Sequence, residues 1–313
     1  MNTLLFPGQG SQVVGMGYEL YQKFNLVKNI FKKADETLDF SISKLILNGP
    51  ESELQLTENA QPAIMTVSYS IFRLLEEEVE IDTNKFKFFA GHSLGEYSAL
   101  VCSKSLDFKD ALYLLKERGK AMQEAVPVGK GSMIAILGTE ANKVKEFIDL
   151  NKNNSGICEI ANDNAIGQII VSGNKESVSL LQETLKKNKI KCVPLKVSAP
   201  FHCSLMNSAA ETMKEKISGV KFNKPIIKIV SNVNATPEED PEKIKELLIK
   251  QIYSTVKWRD SLNYMSEKGV KNFVEVGPGK ALTGMVKRTI KQANCFSINN
   301  LADIDKFKNE FKR

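Results

Sequence analysis

The sequence predicts an α/β protein, with a mostly parallel sheet in a large domain and a smaller inserted domain of ferredoxin-like plan. Three observations carry that prediction. Two short apolar runs, at 3–6 and 86–90, each feed a glycine loop, PGQGSQ and GHSLG. Amphipathic stretches alternate with apolar runs over much of the chain, a pattern that places helices around parallel strands. Between Pro127 and Pro200 the rhythm changes to strand, helix, strand, strand, helix, strand, which is the ferredoxin-like order. A chain of 313 residues can bury a large core and a small one beside it.

The elements follow in order. Residues 3–6 read as a buried strand stopped by Pro7-Gly8. Helical periodicity follows and includes 66–79. The run 86–90 is a second strand that enters GHSLG directly, and 97–101 continues as a helix. Residues 107–125 form an amphipathic helix, with Leu112, Leu115 and Met122 on its apolar face and Lys116, Arg118 and Lys120 off it. In the inserted piece, 133–137, 158–162, 168–172 and 191–197 read as strands, and 141–150 and 175–187 as helices. The boundaries are expected at 127–198 for the small domain, with 1–126 and 199–313 forming the large one. Strands at 226–230 and 273–276, with helices between and after them, complete the large sheet.

Composition sets broad limits. Apolar residues are 42% and charged residues 26%, as in ordinary globular chains. No apolar run approaches the roughly 18 residues of a membrane span, and the N-terminus lacks a basic segment followed by an apolar one. The expected location is the cytosol. None of the five cysteines falls in a CxxC pair, so neither a zinc site nor a redox dithiol is indicated. The net charge of +6 is concentrated at the C-terminal end. Residues 241–313 carry about +7, and the rest of the chain is near −1.

The chemistry centres on GHSLG. A serine flanked by glycines between a strand and a helix is the setting of a nucleophile elbow, as in α/β-hydrolase-like domains. A helix cap is the plain alternative for Ser93. A nucleophilic serine needs a base, and near neutral pH that base is most often histidine. The chain has two histidines, His92 and His202. On a strand-to-turn segment His92 points away from its neighbour Ser93, so His202 in SAPFHC is the better candidate. PGQGSQ and GPGKAL lack the third glycine of a dinucleotide fingerprint and the Lys-Ser/Thr of a phosphate loop. Their glycines suit tight turns and close backbone approach.

PGQGSQ, GHSLGE, ERGKAMQEA, SAPFH, Gln251 before an isoleucine-tyrosine pair, and EVGPGKALTG stand in one order across residues 3 to about 290. In that order and spacing the chain resembles the malonyl-CoA:acyl carrier protein transacylases. The resemblance implies a ping-pong transfer of malonyl from malonyl-CoA to the pantetheine thiol of acyl carrier protein in fatty acid synthesis. Ser93 would be the nucleophile and His202 its base. The backbone N–H groups of Gln9 and Leu94 would hold the oxyanion, and the main-chain carbonyl of Gln251 would orient His202. Arg118 would bind the malonyl carboxylate through its planar fork, and Phe201 would shape the acyl pocket. No metal or redox cofactor is implied. The expected partners are malonyl-CoA and an acidic carrier protein docking near Lys287 and Arg288, with neither nucleic acid nor membrane. Three rivals stay open: a serine hydrolase using Asp163 in a triad, a degenerate carrier-binding protein, and a related transferase of polyketide synthesis.

Overall fold

The computed structural model describes residues 1–151, 156–195, 197 and 199–311. Its strands are β1 (Asn2–Phe6), β2 (Phe86–Gly91), β3 (Gly131–Leu137), β4 (Cys158–Ala165), β5 (Gln168–Asn174), β6 (Lys191–Pro194), β7 (Ile229–Val230), β8 (Pro237–Glu238), β9 (Asn272–Val276) and β10 (Asn294–Ile298). They form two sheets. One has the order β10-β9-β1-β2-β7-β8 and is parallel except for the edge pair β7–β8. The other has the order β4-β5-β3-β6 and is antiparallel throughout. With helices Ala141–Leu150 and Lys175–Lys187, the second sheet forms a ferredoxin-like small domain inserted in the large α/β domain.

Alternation along the strands builds separate cores on the two sides of the large sheet. Leu4 and Phe6 join one cluster, while Leu5 joins another with Ala90, Val230 and Trp258. Phe6, Phe72 and Phe89 meet edge to face at centroid distances of 5.9–6.5 Å. The same rule governs β3. Ile134 and Ile136 face the small domain's own helices, whereas Met133 and Ala135 pack into the main core. Two buried faces explain why β3 reads as a continuous apolar run.

Register then sets where the loops emerge. Phe6 pairs with Gly91 across β1 and β2, and Ala90 pairs with Val230 across β2 and β7. PGQGSQ, GHSLG and Ser231-Asn232 therefore leave the sheet side by side at its carboxyl edge, where open parallel sheets place their ligand sites.

Helix Thr57–Glu77 is buried along most of its length and crosses helix Phe108–Glu124. A Cβ at Gly119 would lie 2.4 Å from Glu58 Cα and 2.8 Å from Thr57 O. The missing side chain lets the two backbones meet, and this carries the adjacent Arg118 into the interior.

Several boundaries differ from the sequence reading. The helix expected from residue 66 starts at Thr57 and contains Pro62. Tertiary burial overrides the break that the proline suggests. The strand expected at 226–230 is only Ile229–Val230, because Ile226 is half exposed and its N–H donates to the Ser103 carbonyl rather than to a strand. β6 stops at Pro194; residues 196 and 198 of the expected 191–197 strand and its boundary lie outside the described residues. β10 has no counterpart in the sequence reading. Its sequence NCFSI sits half-exposed at the sheet edge and lacks an apolar run.

Candidate active site

The loop after β2 turns sharply into helix Gly95–Cys102. Ser93, at the turn, has φ +53°, a left-handed conformation that costs a non-glycine residue energy and that surrounding contacts must enforce. Three contacts enforce it here. Ser93 N–H donates to Asn232 Oδ1 at 2.7 Å, and its carbonyl accepts from Gln251 Nε2 at 3.1 Å. The third is the His92 N–H, which donates to the Phe6 carbonyl at 3.0 Å, and Gly95 permits it, since a Cβ there would stand 2.2 Å from that carbonyl. The elbow can therefore lie directly on the end of β1.

Ser93 Oγ lies 2.8 Å from His202 Nε2. His202 Nδ1 lies 2.9 Å from the Gln251 carbonyl. A carbonyl can only accept, so Nδ1 carries the hydrogen and Nε2 is left bare as an acceptor facing the serine hydroxyl. His202 also has a left-handed backbone, φ +57°. Burial, with the nearby Arg118 charge, drives its pKa from 6.5 down to about 3. The ring is thus neutral, the form a general base needs.

Arg118 is buried, and its guanidinium enters the same cluster. Nη1 donates to Gln61 Oε1 at 2.7 Å, and Nη2 donates to Gln251 Oε1 at 2.9 Å and Ser93 Oγ at 3.1 Å. Its Nε is buried without a hydrogen-bond partner among the described residues. None of these partners is a carboxylate. A buried cation held by neutral oxygens, with a donor to spare, has the chemistry to bind an incoming anion.

The cluster opens into a cavity of about 620 Å³. Gln9, Ser93, Leu94, Arg118 and His202 line its polar end, and Met122, Met133, Ile170, Leu195, Phe201 and Met285 supply apolar wall. Leu94 occupies the N-cap position of helix Gly95–Cys102, so its N–H has no place in the helical ladder. Gln9 enters from the loop after β1, its side chain donating to Thr57 Oγ1 at 3.3 Å.

The structure brings together Ser93, His202, Gln251, Arg118, Gln9, Leu94 and Phe201. It excludes two others from the reacting centre. His92 turns away and pairs through Nε2 with Asn164 Oδ1 at 2.7 Å. Asp163 pairs with Arg259 at 2.8 Å, so the position a triad carboxylate would take is filled by the Gln251 carbonyl. Lys287 and Arg288 are exposed at the far end of helix Ala281–Thr289, whose first turns line the cavity. Arg288 also donates to Gln168 Oε1 at 2.7 Å. The glutamate of EVGPGKALTG serves the fold. Buried Glu275 accepts from the N–H groups of Leu282 and Thr283 and holds the start of that helix.

Sequence reasoning missed Asn232, Gln61 and Glu96. Asn232 lies two residues past a strand end at the sheet's carboxyl edge, a positional signal that the short β7 obscures. Helical periodicity also sets Arg118 off the apolar face, yet the residue is buried. Its helix is enclosed on more than one side, so one-stripe periodicity does not describe it.

This arrangement of elbow serine, neutral imidazole and buried guanidinium is that of an acyl-transferring enzyme. The family model described as "Acyl transferase domain" matches residues 3–309. The malonyl CoA-acyl carrier protein transacylase of Bacillus subtilis (strain 168) is 43% identical over 305 residues, covering 97% of this chain and 95% of that protein. Among solved structures, an acyl-carrier-protein-S-malonyltransferase from Bartonella henselae matches with TM-score 0.96 and 39% identity, over 100% of this chain and 99% of that one. A malonyl-transacylase solved in complex with its type II polyketide synthase acyl-carrier protein matches with TM-score 0.95 and 36% identity, over 99% of each chain. The chain belongs to the acyl transferase family and, within it, to the malonyl CoA-acyl carrier protein transacylases.

Burial lowers the pKa of His92 as well as that of His202. The His202 ring should therefore stay neutral as the pH falls through 6.5, where a solvated imidazole would be half protonated. Imidazole proton–carbon NMR spectra recorded from pH 8 to 5.5 should show the His202 signal without an inflection, and the His92 signal titrating below 6.5 if at all. A titration centred near 6.5 on the His202 signal would contradict the assigned environment.

Proposed function

We propose that the protein transfers malonyl from malonyl-CoA to the pantetheine thiol of acyl carrier protein, through a malonyl-serine intermediate, and so supplies extender units for fatty acid synthesis. The observation that carries this reading is Arg118, a buried cation beside Ser93 Oγ that has no carboxylate partner among the described residues. A hydrolase of neutral acyl esters has no use for such a group.

Ser93 Oγ attacks the thioester carbonyl as its proton passes to His202 Nε2. The tetrahedral oxyanion is held by the N–H groups of Gln9 and Leu94. Collapse expels the CoA sulfur, which takes the proton from His202, and leaves malonyl esterified to Ser93. The carrier's thiol then repeats the sequence: it gives its proton to His202, attacks the ester, and Ser93 Oγ leaves with the returned proton. Arg118 turns its fork from Gln251 and Ser93 to the malonyl carboxylate, and Phe201 bounds the acyl pocket. The Gln251 carbonyl keeps the imidazole in one tautomer.

We place the carrier protein on the exposed end of helix Ala281–Thr289, at Lys287 and Arg288, because the helix begins at the cavity and the chain's positive charge is concentrated after residue 241. We assign residues 127–198 to the small domain and 1–126 with 199–313 to the large one, the linkers flanking the antiparallel sheet. No helix among the described residues is long and apolar enough to cross a membrane. Five free cysteines suit a reducing compartment, and we place the enzyme in the cytosol.

Intact-mass measurement after mixing with malonyl-CoA tests the intermediate. The protein should gain one malonyl group, mapped to the Ser93 peptide, and Ser93→Ala should gain none. A malonyl adduct on the alanine variant would remove Ser93 from the mechanism.

Arg118→Ala should lose malonyl loading far more than acetyl loading. Leaving the malonyl carboxylate unpaired in the pocket costs about 2–5 kcal/mol, and acetyl-CoA has no such group. Equal losses for the two donors would sink the carboxylate role.

Exposed charges are screened over about 10 Å at 0.1 M salt. Added salt should therefore slow discharge to carrier protein more steeply than loading from malonyl-CoA. Glutamate at both Lys287 and Arg288 should raise the KM for carrier protein several-fold while loading is preserved. Wild-type discharge by that double variant would place the docking surface elsewhere.

A further inference from the structure

Beneath the reacting groups lies a second layer of buried polar side chains, and the mechanism above uses none of its members except Gln251. Glu96, 3% exposed in the first turn of helix Gly95–Cys102, is the carboxylate of that layer. Its Oε2 accepts from Gln251 Nε2 at 2.7 Å and from Asn232 N–H at 3.1 Å. Asn232 is wholly buried; its Oδ1 accepts the Ser93 N–H at 2.7 Å and its Nδ2 donates to the Gly91 carbonyl at 2.7 Å. Gln251 Nε2 also donates to the Ser93 carbonyl at 3.1 Å, while Gln251 Oε1 faces Arg118 and its main-chain carbonyl faces His202.

We propose that Glu96 and Asn232 form a positioning relay: one carboxylate oxygen anchors the amides that clamp both sides of the Ser93 peptide and hold Gln251 in the orientation that His202 requires. The chemistry of the donors leaves little choice. Gln251 must present its NH2 toward Glu96 Oε2 and the Ser93 carbonyl, because Arg118 can only donate to the opposite end. Asn232 is oriented likewise, since the Ser93 N–H needs an acceptor and the Gly91 carbonyl needs a donor. Removing the Glu96 acceptor frees the Gln251 amide and leaves the Asn232 N–H unpaired in the interior. The strained φ at Ser93 then loses its clamp. Burial raises the Glu96 carboxyl to about 7, so its neutral acid is populated near physiological pH and a neutral carbonyl oxygen can fill the same role.

The relay rests on the reading of Ser93 as the nucleophile, and the test separates the two. Peptide mapping of the malonyl adduct locates the nucleophile. Pre-steady-state loading, normalised to the number of sites that react, reports how well the nucleophile is positioned. Glu96→Met keeps the volume without the acceptor, and its per-site loading rate should fall about 10- to 100-fold, the scale of a buried hydrogen-bonding group left unpaired. The KM for malonyl-CoA should change little, and acetyl loading should fall by a similar factor, because Arg118 keeps Gln61. Glu96→Gln restores a carbonyl oxygen and should recover most of the rate. If Glu96→Met does not fold, Asn232→Ala removes the other half of the clamp and should show the same per-site loss.

Three outcomes would overturn the relay while leaving a Ser93 adduct in place. One is an unchanged per-site rate, with activity lost only in proportion to folded protein. Another is a glutamine variant as slow as the methionine one. The third is a loss confined to malonyl. An adduct mapped to another residue would instead overturn the reading of Ser93.

Discussion

Gln251 joins groups contributed by three distant stretches of chain. Its main-chain carbonyl meets His202, its Oε1 meets Arg118, and its Nε2 meets Glu96 and the Ser93 carbonyl. The residue stands at the end of helix Pro241–Gln251, where the last carbonyls of a helix lack intrahelical donors. That leaves a carbonyl available to an imidazole, which elsewhere in a helix it would not be. The negative end of the helix dipole also points toward the Nδ1–H it holds. A tautomer-setting carboxylate is unnecessary in this geometry, and leaving it out keeps a second formal negative charge away from a pocket that must admit a carboxylate.

The cavity lies between two bodies that are extensively tied. Ala161 accepts from Val256 N–H at 2.8 Å, and Asp163 N–H donates to the Val256 carbonyl at 3.0 Å, so β4 of the small domain bridges to the large one. Arg259 holds Glu140 and Asp163 together, Ser204 is bound by Glu159, and Ser172 Oγ donates to the Phe201 carbonyl at 2.7 Å. The last two contacts flank His202 in sequence. They hold its left-handed backbone in place from the small domain's side, so His202 and Ser93 are positioned by different parts of the chain. Asp163, the sequence's most tempting triad acid, is engaged in this clamp.

Much of the fold can be read because its signals are local. The run 86–90 into GHSLG, the helices at 141–150 and 175–187, and the ferredoxin-like order all follow from periodicity and turn residues within about ten positions of one another. Elements without such signals escape that reading. β10 lies half-exposed at an edge, and helix Thr57–Glu77 runs through a proline because burial on nearly every face outweighs the local break. Arg118 sits beside Gly119, and only the crossing partner shows why that pair must be Arg-Gly: the glycine removes the Cβ that would strike Glu58.

The sequence by itself determined the α/β class, the elbow context of Ser93 and, with only two histidines to choose from, the candidate base His202. It also held the ordered motifs that carried the resemblance to the transacylases. Those conclusions need only residue type and spacing, since a nucleophile and a base are each defined by their own chemistry. The tertiary structure chose the Gln251 carbonyl, which the resemblance had implied, over Asp163 at the imidazole, and it alone showed that Arg118 is buried among neutral oxygens and that Glu96 and Asn232 underlie the elbow. Each of these depends on groups brought together across 40 residues or more, or on which face of a helix is enclosed. A hydrogen-bond network of that kind has no period and no motif. It exists only once the strands are in register and the helices have crossed.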